Sequence, residues 1–262
     1  MRPHPAFGQI DHRPWPLPAG RWAWRQSWRD LLFAHWPVPV DAVRRLIPPG
    51  LVVDTFDGAT WLGVVPFRMA GVMRRPLPDL PWVSAFPELN VRVYVTRDGR
   101  PGVWFLSLDA TNPLAVATAR RFFHLPYYRA EIDITAEGEG FGYRCVRHRD
   151  LTGLGRPVRS GERVIFDAHY RPTSPVYAAA PGTLEHWLTE RYCLYAQAPG
   201  GALYRTEVHH WPWPLQRAAA EITANTIPAA GGLPVDGPPA HLHFARRIDV
   251  VVWGAERVDS GQ

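Results

Sequence analysis

Lysine is absent from this chain. Of its 262 residues, 29 count as lysine or arginine, and every one is arginine. A Schiff base with a carbonyl compound needs an enzyme amine, usually a desolvated lysine. Arginine stays protonated and cannot take that role. Side-chain imine chemistry is therefore excluded, whatever produced the bias. Cysteine is also scarce. Cys145 and Cys193 are far apart, in no metal spacing, and sit in apolar runs. They read as buried, reduced thiols in a reducing compartment. No stretch approaches ~18 uncharged apolar residues, and Met1 to Pro18 has no apolar signal core. A soluble, cytoplasmic protein with no membrane partner is expected. No run of basic residues exceeds a pair, as in Arg74-Arg75, despite a net charge of +5. Phosphate binding needs clustered charge, so no nucleic-acid partner is expected. Ser107 and Ser160 lie in no nucleophile elbow, and no dinucleotide fingerprint or phosphate loop occurs. No cofactor is expected.

What is present is turn-forming and apolar. The chain has 28 prolines and 22 glycines, with 46% hydrophobic residues. That is enough for a sizeable core in a strand-rich α+β fold. Residues 1–20 read as an irregular Pro-rich arm and 21–262 as a single domain. Trp22, Trp24, Gln26 and Trp28 alternate with smaller or polar residues, which predicts a strand with one apolar face. Strands are expected at 61–69, 89–96, 103–108, 127–135, 141–148, 163–170, 192–196, 203–210 and 244–253. Helices are expected at 42–47, from Asn112-Pro113 to before Pro126, at 183–190 and at 214–222. Residues 74–87 and 228–240 read as loops. The strands are expected to be mostly antiparallel.

The clearest hairpin turns at Asp98-Gly99. With that two-residue turn, Glu88 lies opposite Asp109, Asn90 opposite Ser107, Arg92 opposite Phe105 and Tyr94 opposite Val103. All would share one face, because strand side chains alternate. The other face, with Leu89, Val91, Val93, Val95, Trp104, Leu106 and Leu108, must be core. The polar face is either a solvated outer surface or the lining of a cavity. In the cavity case Glu88 and Asp109 are acids, Arg92 an anion clamp, and Asn90 and Ser107 hydrogen-bonding groups.

Other candidates are weaker. His209 and His210 are adjacent on a strand and point to opposite faces, so they suit a metal poorly. One of them, provisionally His209, could serve as a general acid or base. His241 and His243 could share a face but have no evident third ligand, and no metal site is expected. Glu185, Glu190, Arg191 and Tyr192 read as an ion-paired helix end.

Several blocks carry a family resemblance. They are Phe33-Ala34-His35-Trp36-Pro37, the stretch Phe56-Asp57-Gly58 to Phe67, and Glu88-Leu89-Asn90-Val91-Arg92. Pro101 to Ala110, Leu125-Pro126-Tyr127-Tyr128 and Val208 to Leu215 complete the set. Over residues 25–253 the chain resembles the YqjF-like family of uncharacterised bacterial proteins. That family is similar to the acetoacetate decarboxylase-like superfamily. The resemblance implies a closed antiparallel β-barrel flanked by short helices, with a ligand cavity inside. It places Glu88 where the decarboxylase has an active-site glutamate, and Tyr127 and Tyr128 where it has a lysine pair. Decarboxylation through an imine is thus not expected.

Two functions fit these readings. One is a small-molecule binding protein whose Arg92, with Tyr127 or Tyr128, holds an organic acid or carbonyl compound. The other is a cofactor-independent enzyme on keto or enol compounds, of lyase, hydratase or isomerase type. There Glu88 or His209 would move a proton and Arg92 would stabilise negative charge. An interaction module built on the Pro/Trp-rich loops is the third. The sequence leaves a homo-oligomer open.

Overall fold

The computed structural model describes residues 4–76, 84–148 and 163–258. Ser160 and residues 77–83 of the expected 74–87 loop lie outside them. A 3-10 turn, Pro5–Gly8, precedes β1 (Trp24–Val38) and α1 (Val40–Arg44). Then come β2 (Val52–Val53), β3 (Thr60–Arg74), β4 (Phe86–Arg97), β5 (Arg100–Ala110) and α2 (Pro113–Phe123). The chain continues through β6 (Tyr127–Glu137), β7 (Gly140–Arg147), β8 (Ile165–Pro172) and α3 (Leu184–Thr189). It ends with β9 (Cys193–Gln197), β10 (Leu203–His209), β11 (Leu215–Asn225), α4 (Ile227–Ala230), β12 (His241–Val252) and β13 (Glu256–Val258).

Among the described residues all thirteen strands belong to one sheet, in the order β13-β10-β9-β5-β6-β7-β8-β11-β12-β1-β3-β4-β2. Two further pairings, β10 with β12 and β5 with β4, join strands distant in that order. The architecture is strand-rich α+β with few, short helices. Most pairings are antiparallel, but β5 runs parallel to both β6 and β9. The β5–β6 parallel step requires a crossover, and α2 supplies it. Asn112 caps α2: its Oδ1 accepts the Leu114 backbone N–H at 3.0 Å. His124, with φ 54°, ends the helix in the left-handed region, and Pro126 cannot continue it. Thr183 caps α3 by accepting from the His186 N–H at 3.3 Å.

Two stretches differ in kind from their expectations, and in one of them the expected 228–240 loop opens within α4. In the other, the expected helix 214–222, residues 215–222 are part of β11, paired with β8 and β12. Ala218, Ala220 and Ile222 pack on the core with a period of two. Alanine at 219 as well hides that alternation in the sequence. Ladder pairing on both sides overrides the helix propensity of the Ala-rich run.

The sheet segment β1–β3–β4 is buried on both faces. Leu32, Ala34, Val64, Leu89 and Val91 belong to one apolar cluster. Leu31, Phe33, Val65 and Phe67 belong to a second, on the opposite side. The polar face of β4 looks into the second cluster, so it is not a solvated outer face. Glu88, Asn90 and Arg92 are 2%, 7% and 8% exposed.

Candidate functional site

The hairpin turns as expected. Arg97 pairs with Arg100, and Asp98 and Gly99 both have positive φ, 51° and 71°. Phe105 and Val103 face Arg92 and Tyr94, also as expected. The register then slips by one residue. Arg92 pairs with Phe105 but Val91 pairs with Ser107, leaving Leu106 as a bulge. A mid-strand bulge exchanges the faces beyond it. Leu108 and Ala110 therefore lie opposite Asn90 and Glu88, while Ser107 and Asp109 lie opposite Val91 and Leu89. Ser107 and Asp109 thus leave the polar face. Asp109 instead accepts two bonds from Arg147, at 2.6 and 2.7 Å, with both side chains buried.

A cavity of about 390 Å³ lies against the remaining polar face of β4. Its walls are mainly apolar and include Trp28, Phe33, Phe67, Phe105, Leu108 and Trp213. Glu88, Asn90 and Arg92 line it, as does Tyr127. Tyr127 reaches this wall because β6 begins immediately after the α2 crossover and lies beside Leu108. Its hydroxyl donates to Glu88 Oε2 at 2.9 Å. The Tyr143 hydroxyl donates to the Glu88 backbone carbonyl at 2.8 Å. Burial pushes the Glu88 carboxyl up to about 8, against the Tyr127 hydrogen bond, with Asp109 adding a smaller upward push. Glu88 is therefore neutral at pH 7. Tyr127 is itself held well above the usual phenol range by burial and by Glu88.

Arg92 occupies the buried end. It donates through Nη2 to the Leu188 carbonyl at 3.0 Å and to the Tyr94 hydroxyl at 3.3 Å. Its guanidinium lies 5.1 Å from the Phe33 ring centroid. Its Nε is buried without a partner, and no acidic side chain among the described residues pairs with it. The Tyr94 hydroxyl gives its only hydrogen to the Leu188 carbonyl, 2.9 Å away. His35 Nε2, 2.6 Å from that oxygen, must then be the donor. His35 is neutral, its basicity suppressed by burial and then by Arg92. Gly63 makes room here: a Cβ would sit 3.0 Å from His35 Nε2 and 3.4 Å from Arg92 Cγ. Asn90 has no hydrogen-bond partner for its Oδ1.

Arg191 also lines the cavity but is neutralised by Asp54 at 2.5 Å. His210 lines it too, stacked on Tyr192 with centroids 4.8 Å apart. His209 points the other way. It stacks on Phe7 and His12 of the N-terminal arm, and its Nε2 lies 2.8 Å from the Ala6 carbonyl. Burial, then Arg13, lower the His209 imidazole to about 4. Tyr128 also faces away, under the Arg147 guanidinium at 4.0 Å.

The structure therefore gathers Glu88, Asn90, Arg92 and Tyr127 into one cavity and leaves out Ser107, Asp109, Tyr128 and His209. Arg191, read from the sequence only as part of an ion-paired helix end, and Thr189, Thr206 and Trp213, which the sequence did not assign to a site, also line the wall. The Trp24, Gln26, Trp28 alternation was the available signal for β1: all three side chains line the cavity. At the rim, α2 contributes Leu114, Ala119, Phe122 and Phe123. Among the described residues no group of three His, Cys, Asp or Glu side chains could hold a metal ion. No helix among them is long and apolar enough to cross a membrane.

A family model described as DUF2071, uncharacterized conserved protein, matches residues 25–249. The chain is 43% identical over 237 residues to the uncharacterized protein YqjF of Bacillus subtilis (strain 168), covering 90% of this chain and 93% of the relative. Solved structures share the fold at low identity. One is the enduracididine biosynthesis enzyme MppR complexed with pyruvate, with a TM-score of 0.62 and 14% identity over 95% of this chain and 93% of that one. Another is acetoacetate decarboxylase from Legionella pneumophila, with a TM-score of 0.58 and 13% identity over 95% and 93%.

Proposed function

This chain belongs to the DUF2071 family of uncharacterized conserved proteins, and from its cavity we propose that it binds an organic acid or carbonyl compound. The observation that carries this reading is Arg92. A buried cation with no acidic partner is costly, and here Arg92, with Asn90 beside it, lines an apolar-walled space. A ligand carboxylate would supply the missing charge and accept from both side chains. Arg191 adds nothing further because Asp54 balances it. In this reading the strands close into a barrel round the ligand, a closure supported by the β4–β5 and β10–β12 pairings. Pyruvate complexed with the fold relative MppR is consistent with an acid as ligand.

A second reading is favoured by one specific observation, the Glu88–Tyr127 pair. A carboxyl that ionises at about pH 8 can give or take a proton near neutrality. As an enzyme, the protein would move a proton at the carbon beside a carbonyl to or from Glu88. The enolate charge would be borne by Arg92. Tyr127 would hold Glu88 in place. No lysine is available for an imine, so the carbonyl would be activated by hydrogen bonding alone. His210, not His209, is the histidine placed to take part.

Mass spectrometry of metabolites retained by the purified protein, followed by turnover assays on what binds, tests both readings. Retention of a carboxylate that is lost in Arg92→Met supports the binding protein. Product formation that vanishes in Glu88→Gln supports the enzyme. Bound compounds that carry neither an acid nor a carbonyl group would sink both.

A further inference from the structure

The chemical class of the ligand follows from how the cavity is graded from one end to the other. This inference rests on the reading that the cavity takes an organic acid at Arg92.

Glu88, Asn90 and Arg92 gather toward the buried end. Along β3, Gly63 lies opposite Arg92, Phe67 opposite Glu88 and Met69 opposite Phe86, with Arg74 at the end of the strand. Moving outward from Arg92 the wall becomes aromatic and aliphatic, through Phe33, Phe67, Trp28 and Met69. At the rim it is mainly apolar, with Gln26, Thr118 and Arg74 the polar side chains there. Leu114 and Phe122 of α2 line the opening although they are 56% and 55% exposed. Large apolar side chains left exposed beside a cavity are the usual mark of a route for an apolar ligand. The Arg74 guanidinium lies 5.7 Å from the Phe122 ring and 5.8 Å from the Trp24 ring, so even the cation at the rim is stacked on aromatic faces.

Volume gives the size. At about 30 Å³ for a water-sized group, a cavity of 390 Å³ takes on the order of a dozen non-hydrogen atoms. A three- or four-carbon oxo acid has about half that number, and it would leave the aromatic wall facing empty space.

We propose that the ligand is an amphipathic carboxylate with a long apolar tail. It enters head first: the carboxylate seats on Arg92 and Asn90, and the tail runs out between Phe67, Trp28 and Trp213 to the α2 rim. Counting the two carboxylate oxygens, about ten to twelve carbons is the length class that about 390 Å³ accommodates. Asn90 offers its amide N–H to the second carboxylate oxygen. Protonated Glu88 lies further out, where a carboxylate tail group would be unfavourable and a hydroxyl or oxo substituent would be accepted.

The test is titration calorimetry of the full chain with sodium octanoate, decanoate, dodecanoate and pyruvate below their micelle concentrations, with dodecanol as the uncharged control. The expected result is saturable 1:1 binding of dodecanoate. Affinity should rise up to about fourfold per methylene from eight carbons upward. Arg92→Met should weaken dodecanoate at least tenfold and leave dodecanol unchanged. Ala119→Trp, a plug at the rim away from the head-group site, should shorten the longest acid bound. Should Arg92→Met not fold, the Ala119→Trp cut-off still decides. Pyruvate binding without dodecanoate binding would overturn this inference and leave the organic-acid reading standing. An affinity indifferent to chain length, or an unchanged cut-off in Ala119→Trp, would also overturn it. Failure of every acid to bind would end both.

Discussion

Tyr127 donates its hydroxyl hydrogen to Glu88 across the cavity wall, at 2.9 Å. The two residues come from different parts of the sheet, β6 and β4, with β5 between them. The bond joins two residues that the sequence analysis named as candidates from separate blocks of the chain. It stabilises the ionised carboxylate, yet burial outweighs it, and Glu88 stays protonated to about pH 8.

That balance has a consequence for stability. Between pH 4.5 and 8 the unfolded chain's Glu88 loses its proton while the native one keeps it. The native state then binds more protons, so Glu88 lowers stability progressively across this window and adds no further change above it. In Glu88→Gln the slope disappears. Thermal melts of both proteins from pH 5 to 9 should show the variant gaining on the wild type, by about 2–4 kcal/mol in total. A gap that stays constant with pH would show that Glu88 is ionised in the native state.

Tyr127→Phe removes the one hydrogen bond that favours the carboxylate. Glu88 should then ionise at a still higher pH. The protonated carboxyl stretch in difference infrared spectra, assigned with Glu88→Gln, should persist to higher pH in Tyr127→Phe than in the wild type. A shift in the opposite direction would mean that the hydroxyl favours the neutral acid.

Asp109 and Arg147 should matter to the fold and not to the cavity. Their side chains are 0% and 3% exposed and share two bonds. Asp109→Ala leaves a buried guanidinium unpaired and should cost about 3–5 kcal/mol in urea denaturation. At a temperature where the variant is folded, its ligand affinity should equal that of the wild type. A specific loss of binding in a stably folded variant would place Asp109 back in the site.

Arg92 should behave in the opposite way. With no acid beside it, its removal strands no counter-charge, and Tyr94 still donates to the Leu188 carbonyl. Arg92→Met should unfold within about 1 kcal/mol of the wild type, or be more stable, because a buried cation is replaced by an apolar group. A loss of several kcal/mol would reveal a structural role for the guanidinium.

Much of this was legible in the sequence because it depended on local alternation. The Asp98-Gly99 turn set the hairpin, and Leu89, Val91 and Val93 identified the core face of β4. Glu88, Asn90 and Arg92 followed on the other face. The misplacement of Ser107 and Asp109 has one cause, the bulge at Leu106, which no turn residue or proline announces. Apolar Trp104 and Leu106 are compatible with either register. The helix expected at 214–222 failed because alanine satisfies both periods and only the β8 and β12 partners decide. His210 could not be separated from His209 by alternation alone. The N-terminal arm settles it, since Ala6, Phe7 and His12 occupy the His209 side. Arg191 and Trp213 reach the cavity from segments remote in sequence, and no local pattern marks them.

The central claim is that an organic acid binds at Arg92, and titration calorimetry of wild type and Arg92→Met with one dodecanoate sample tests it most directly. The account predicts one saturable site in the wild type and affinity at least tenfold weaker in a folded Arg92→Met. Equal affinity in the two proteins would contradict it.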